Sequence, residues 1–157
     1  MAYLTTTPIA WNRIAYLERL SAQRACGALV TFVGIVRGDQ HGDRAVNALY
    51  YEAYAEMAEH AIDRLIQAAK ARWALQTVQI QHRLGHVEVG QVSVVIIVAS
   101  HHRAEAYAAS QCLIEQIKQV VPIWKRELFD DGASQWAMGM PEILGATNPL
   151  GAVHADL

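Results

Sequence analysis

The chain has 157 residues, 53% hydrophobic and 18% charged, with a formal charge of −2 at pH 7. That length is most simply one domain able to bury ~70% of its unfolded surface, and the composition excludes intrinsic disorder. A slightly negative chain lacks the broad basic face of a general nucleic-acid binder, although a local basic pocket for a small anion stays compatible with it.

The first segment with helical spacing is 12–22, where Ile14, Leu17 and Leu20 share a face. Ala28 to Val36 is rich in β-branched residues and predicts a strand, with Gly34 marking a bulge or a close backbone approach. Arg37 leads into a polar loop, Gly38 to Arg44, of the kind that carries function. Asn47 to Tyr54 predicts a second strand, expected to pair with the first as a long hairpin. Glu56 to Trp73 carries the clearest amphipathic stripe, including Ala58, Ile62, Leu65 and Ala69.

Thr77 to Leu84 alternates Val78, Ile80 and His82 with Gln79, Gln81 and Arg83. Gly85 and Gly90 are expected to bracket a turn, and Val92 to Ser100 reads as a strand buried on both faces. A helix from about Arg103 to Val121 follows, with Ser100 as its expected N-cap and Pro122 as its stop. Ile123 to Phe129 predicts a strand, Asp130 to Gly132 a turn, and Gln135 to Met138 a returning strand. Mixed hairpins and helices, with no regular βαβ alternation, give an α+β class. Residues 1–140 read as a single domain and 141–157 as an irregular C-terminal arm.

Cys26 and Cys112 form no CxxC pair and read as buried thiols of a reducing compartment. No basic n-region precedes an apolar run at the N-terminus, and the longest apolar run, Val92 to Ala99, is too short to cross a bilayer. A cytoplasmic location, with no membrane association, is the expectation. His82 and His86, and the adjacent His101 and His102, lack the partners and spacing of a metal site, so neither metal nor cofactor is expected. Walker, GxGxxG and GxSxG motifs are absent.

Basic residues gather around one helix: His102 and Arg103 at its start, Lys118 in its last turn, Lys125 and Arg126 just beyond it. A helix N-terminus offers unpaired N–H groups to an anion, and arginine adds a two-pronged donor. On spacing alone His102 and Arg103 fit a surface pair equally well, and Lys118 fits a snorkelling lysine. Strand alternation puts Ile123, Lys125 and Glu127 on one face and Trp124, Arg126 and Leu128 on the other. Two lysines flanking a proline turn can converge on one space, and a partly desolvated lysine can act as a nucleophile or in proton transfer.

The segments GALVTFVGIVR, NALYYEAY, RLGHVEVGQVSVVIIVASHHRAEAY and LIEQIKQVVPIWKRE together resemble the large, catalytic subunit of molybdopterin synthase. The resemblance covers roughly Ala25 to Trp136. It implies an α/β hammerhead with an additional antiparallel β subdomain, and a sulfurtransferase of molybdenum cofactor biosynthesis. A small ubiquitin-like carrier, with a C-terminal Gly-Gly thiocarboxylate, would donate sulfur to cyclic pyranopterin monophosphate to build the dithiolene. It further implies a homodimer of large subunits within a heterotetramer.

Carried over position by position, Arg37, His102 and Arg103 match substrate-binding residues of the family. Lys118 and Lys125 match its two pocket lysines, with catalytic and substrate-binding roles, and Arg126 extends the basic lining. One departure is that WAMGMPE, after Trp136, lacks the arginine common there in the family. The alternatives are a non-catalytic module that binds a pterin, a phosphate or the carrier, and a small phosphohydrolase, which has no nucleophile–base pair in this sequence.

Overall fold

The structure, a computed structural model, describes residues 3–9 and 26–137. The helix expected over 12–22, the end of the last strand at Met138 and the arm over 141–157 lie outside them. Nine strands and two helices are described: β1 Leu4–Thr5, β2 Ala28–Ile35, β3 Gln40–His41, β4 Arg44–Ala53, α1 Ala55–Arg72, β5 Leu75–Arg83, β6 Gly85–Glu88, β7 Val92–Ser100, α2 Arg103–Val120, β8 Ile123–Phe129 and β9 Ser134–Trp136. The class is α+β, as the element order predicts.

Two sheets divide the strands. The first has the order β1-β5-β7-β2 and is antiparallel except where β1 lies parallel to β5. Both helices pack on one of its faces. There Ile62, Leu65 and Ala69 of α1, Leu113 and Ile117 of α2, and Val78, Ile80, Ile96 and Val98 of the strands form one apolar cluster. β7 lies between β5 and β2 and is buried along almost its whole length, as its unbroken apolar run predicts. The Glu59 carboxylate of α1 accepts hydrogen bonds from the backbone N–H groups of Tyr3 and Leu4, which pins β1 to the helix layer.

The second sheet is antiparallel, with the order β3-β4-β8-β9 and β6 paired to β4 beside β3. Its own core is small: Val36, Val46, Leu49, Val87 and Phe129.

Three local expectations are corrected. β4 does not form a hairpin with β2; it pairs with β3, β6 and β8, while β2 pairs with β7. The apolar run of β2 matches that of β7, and the pairing loses register between Gly34 and Ile35. A Cβ at Gly34 would stand 2.5 Å from Val94 Cγ1, so both readings of this glycine hold, as a bulge and as a close approach. Beyond the bulge the chain leaves the first sheet and enters the second.

The residues between Gly85 and Gly90 are mostly a strand, β6, with the turn confined to Val89-Gly90. Val87 is fully buried there, which a turn could not achieve. Finally, His102 caps α2 with extended backbone and no side-chain cap bond. Ser100 is buried, and its hydroxyl donates to the His102 carbonyl instead.

Candidate active site

α2 ends where the predicted stop lies. The Val121 N–H still donates to the Ile117 carbonyl at 3.2 Å, and Pro122 then turns the chain into β8. The Pro122 carbonyl accepts from Tyr54 N–H at 3.3 Å, so this joint is fastened to the start of α1. Lys118, in the last helical turn, and Lys125, on β8, both line one open cleft of about 1370 Å³ between the two sheets.

Arg37 lines the same cleft from the end of β2, and its guanidinium donates to Asp39 Oδ2 at 3.1 Å. Neither lysine makes an ion pair among the described residues. Their charges are therefore available to an anion, while that of Arg37 is already shared on the surface.

The cleft floor is the seam between the sheets. Tyr51 of β4 and His82 of β5 meet edge to face there, ring centroids 5.0 Å apart. His82 is buried, and burial lowers its pKa from 6.5 to about 4 despite a backbone bond that works the other way. Its Nδ1 lies 2.7 Å from the Arg83 carbonyl. A carbonyl only accepts, so Nδ1 holds the proton of the neutral ring and Nε2 keeps its lone pair. Burial likewise pushes the Tyr51 phenol up, against a smaller opposing effect of the Ser93 hydroxyl. Both rings are thus uncharged at neutral pH.

Of the six basic residues expected at the site, one chain brings together Arg37, Lys118 and Lys125. His102 and Arg103 stand at the other end of α2: fifteen residues from Arg103 to Lys118 at 1.5 Å rise is roughly 22 Å. Arg126 points to the opposite face of β8 from Lys125. There it lies between its cross-strand neighbours Tyr50 and Trp136, with ring centroids 5.4 and 5.6 Å from its guanidinium carbon. Strand alternation predicts that split.

Three carboxylates also line the cleft, Asp39, Glu52 and Glu127. Glu127 shares the face of Lys125, as alternation indicates, whereas Asp39 and Glu52 enter through tertiary placement. Among the described residues no three His, Cys, Asp or Glu side chains come together as a metal site. Nor is any described helix long and apolar enough to cross a membrane. Cys112 is buried, and burial pushes its thiol up, as suits a core thiol rather than a nucleophile.

The arrangement offers two ammonium groups, with no ion pair among the described residues, above a neutral aromatic floor, which suits an anionic, partly apolar ring ligand. Residues 4–120 match the family described as MoaE protein. The molybdopterin synthase catalytic subunit of Thermoplasma volcanium is 48% identical over 134 residues, 85% of this chain and 96% of that protein. The Bacillus subtilis protein of the same description is 42% identical, covering 85% and 82%.

Among solved structures, molybdopterin synthase from Staphylococcus aureus superposes with a TM-score of 0.77 at 34% identity, covering 87% of this chain and 96% of that one. A complex of subunits 1 and 2 of molybdopterin-converting factor from Helicobacter pylori matches with a TM-score of 0.71 at 26% identity, covering 89% and 93%. With the family matched across most of its length and close relatives spanning the same residues, this chain belongs to the MoaE family, that of the molybdopterin synthase catalytic subunits.

Proposed function

We propose that the chain is the catalytic subunit of a molybdopterin synthase, a sulfurtransferase of molybdenum cofactor biosynthesis. It takes sulfur from the thiocarboxylated C-terminus of a small ubiquitin-like carrier and delivers it to cyclic pyranopterin monophosphate, forming the dithiolene of molybdopterin. Residues 1–140 act as the catalytic domain. The observation that carries the reading is the convergence of Lys118 and Lys125 on one cleft, with no internal ion-pair partner among the described residues.

Opening of a cyclic phosphate and release of the carrier's carboxylate both develop negative charge. A preplaced ammonium stabilises that charge by about 1.5–3 kcal/mol per charge-assisted hydrogen bond. Arg37 binds the substrate from the cleft rim. His102 and Arg103 act on substrate as well, and their roughly 22 Å separation from Lys118 along one helix means that a second copy must supply them to a shared site. That requirement supports a homodimer at the centre of a heterotetramer with two carriers. Arg126, stacked on the far face of β8, supports the strand rather than the ligand. Two free cysteines fit a cytoplasmic setting.

Reconstitution tests the reading. The purified chain, a thiocarboxylated carrier and cyclic pyranopterin monophosphate are combined, and dithiolene is assayed as its oxidised fluorescent derivative. The wild-type chain gives product, and Lys118→Ala slows it roughly 100- to 1000-fold, the size of losing one preorganised charge contact, with the thermal midpoint unchanged. Near-normal turnover in that variant removes Lys118 from the chemistry. Carrier binding without any product, in the wild type, would support a non-catalytic binding module instead.

A further inference from the structure

Glu127 poses a problem for a cleft meant to hold an anion. It lines the cleft and lies two residues from Lys125 on the same face of β8, within reach of neutralising it. Yet neither Lys125 nor Lys118 pairs with it. The carboxylate turns the other way, where His41 Nε2 stands 3.4 Å from Glu127 Oε2.

His41 is held for this contact. It lies on β3, opposite Arg44 across a two-residue loop, Gly42-Asp43, whose glycine adopts φ 65°. Its ring meets the buried Phe129 ring edge-on, centroids 5.7 Å apart, and the Arg44 guanidinium carbon lies 4.4 Å from the same ring centroid. Lys125, Glu127 and Phe129 alternate along one strand face, so the β3 hairpin covers the last two and leaves the first to the cleft.

We propose that His41 is a positioning residue: it draws the Glu127 carboxylate away from Lys125, so that Lys118 and Lys125 face the phosphate of the substrate uncompensated. The proposal deepens the sulfur-transfer reading and rests on it for the identity of the substrate. Its electrostatic content concerns any phosphate that enters the cleft. Removing the imidazole frees a carboxylate to fold back onto Lys125, and the anion brought into the cleft weakens phosphate binding.

The test uses the full chain as the wild type, His41→Ala, and His41→Ala combined with Glu127→Gln. Each is titrated calorimetrically with inorganic phosphate and with cyclic pyranopterin monophosphate, and each is assayed with the thiocarboxylated carrier. His41→Ala is expected to weaken both ligands and raise KM roughly tenfold, with kcat falling less than it does in Lys118→Ala. The added Glu127→Gln change is expected to restore affinity to within about threefold of wild type, because the neutral amide no longer competes for Lys125.

A merely structural role for His41 would lower the thermal midpoint and leave the double variant as weak as the single one; that result overturns the proposal. So does unchanged phosphate binding in His41→Ala. If the wild type makes no dithiolene but the phosphate titrations follow the expected pattern, the sulfur-transfer reading fails and the positioning role stands. Active wild type with an unaffected His41→Ala fails the positioning role alone.

Discussion

β7 and β8 are interior strands of the two sheets, and they bury very different fractions of themselves. In β7 every residue from Ser93 to Ser100 is buried, whereas in β8 only Phe129 is. Helices press on β7 from one side, and one face of each neighbouring strand joins the same apolar cluster. β8 instead presents one face to the cleft and the other to an aromatic–arginine stack. The first sheet is therefore the rigid platform, and the second can carry charged chemistry because its strands are not needed for a deep core.

The largest expected test of that contrast is the seam residue between the sheets. His82 has a folded pKa of about 4 against an unfolded value of 6.5, so between those limits the unfolded chain takes up a proton that the folded chain refuses. Stability from this group is intact above pH 6.5 and falls as pH drops through the window, by about 3 kcal/mol at pH 4. Urea unfolding from pH 7 to 4 should show that loss in the wild type, and His82→Gln should lack this part of it. Parallel curves for the two would mean that the seam admits a charged ring.

A matched pair of truncations comes next. Val98 in the large cluster and Val87 in the small one are both fully buried. Val98→Ala should cost about 2.5 kcal/mol, and Val87→Ala about 1.5 kcal/mol, because the smaller cluster beside an open cleft can relax into the space. Denaturant midpoints measure both, and equal losses would erase the distinction between platform and chemical sheet. The smallest effect belongs to the rim: Asp39→Asn breaks an ion pair whose side chains are 80% and 49% exposed. It should shift stability by less than about 1 kcal/mol, read as a thermal midpoint close to that of the wild type.

Most elements were legible because their periods are strong. The stripe in α1, the apolar run of β7 and the proline after α2 placed those elements to within a few residues. Strand partners were not legible. Nothing in Asn47 to Tyr54 names its neighbour, and the habit of pairing successive strands pointed to β2, when the bulge at Gly34 sends the chain to another sheet. The two lysines could be placed together because only Val121 and Pro122 lie between their elements.

The distance from Arg103 to Lys118 was also implicit in the sequence, since helix rise alone separates the ends of α2. The His41–Glu127 contact was not, because no local pattern relates a hairpin loop to a strand so distant in the chain. His82 showed its alternation with Val78 and Ile80, but not the tyrosine that meets it across the seam.

The joint at Val121-Pro122-Ile123 has a consequence for what lengths of chain the family can tolerate. Its first two residues are buried, its backbone is tied to Tyr54, and it delivers β8 in a single phase of the pleat. One residue added here, with the sheet pairing kept, would turn β8 inside out. Arg126 would enter the cleft, and Lys125 would be pressed between Tyr50 and Trp136. The spacing from Lys118 to Lys125 thus acts as a reading frame.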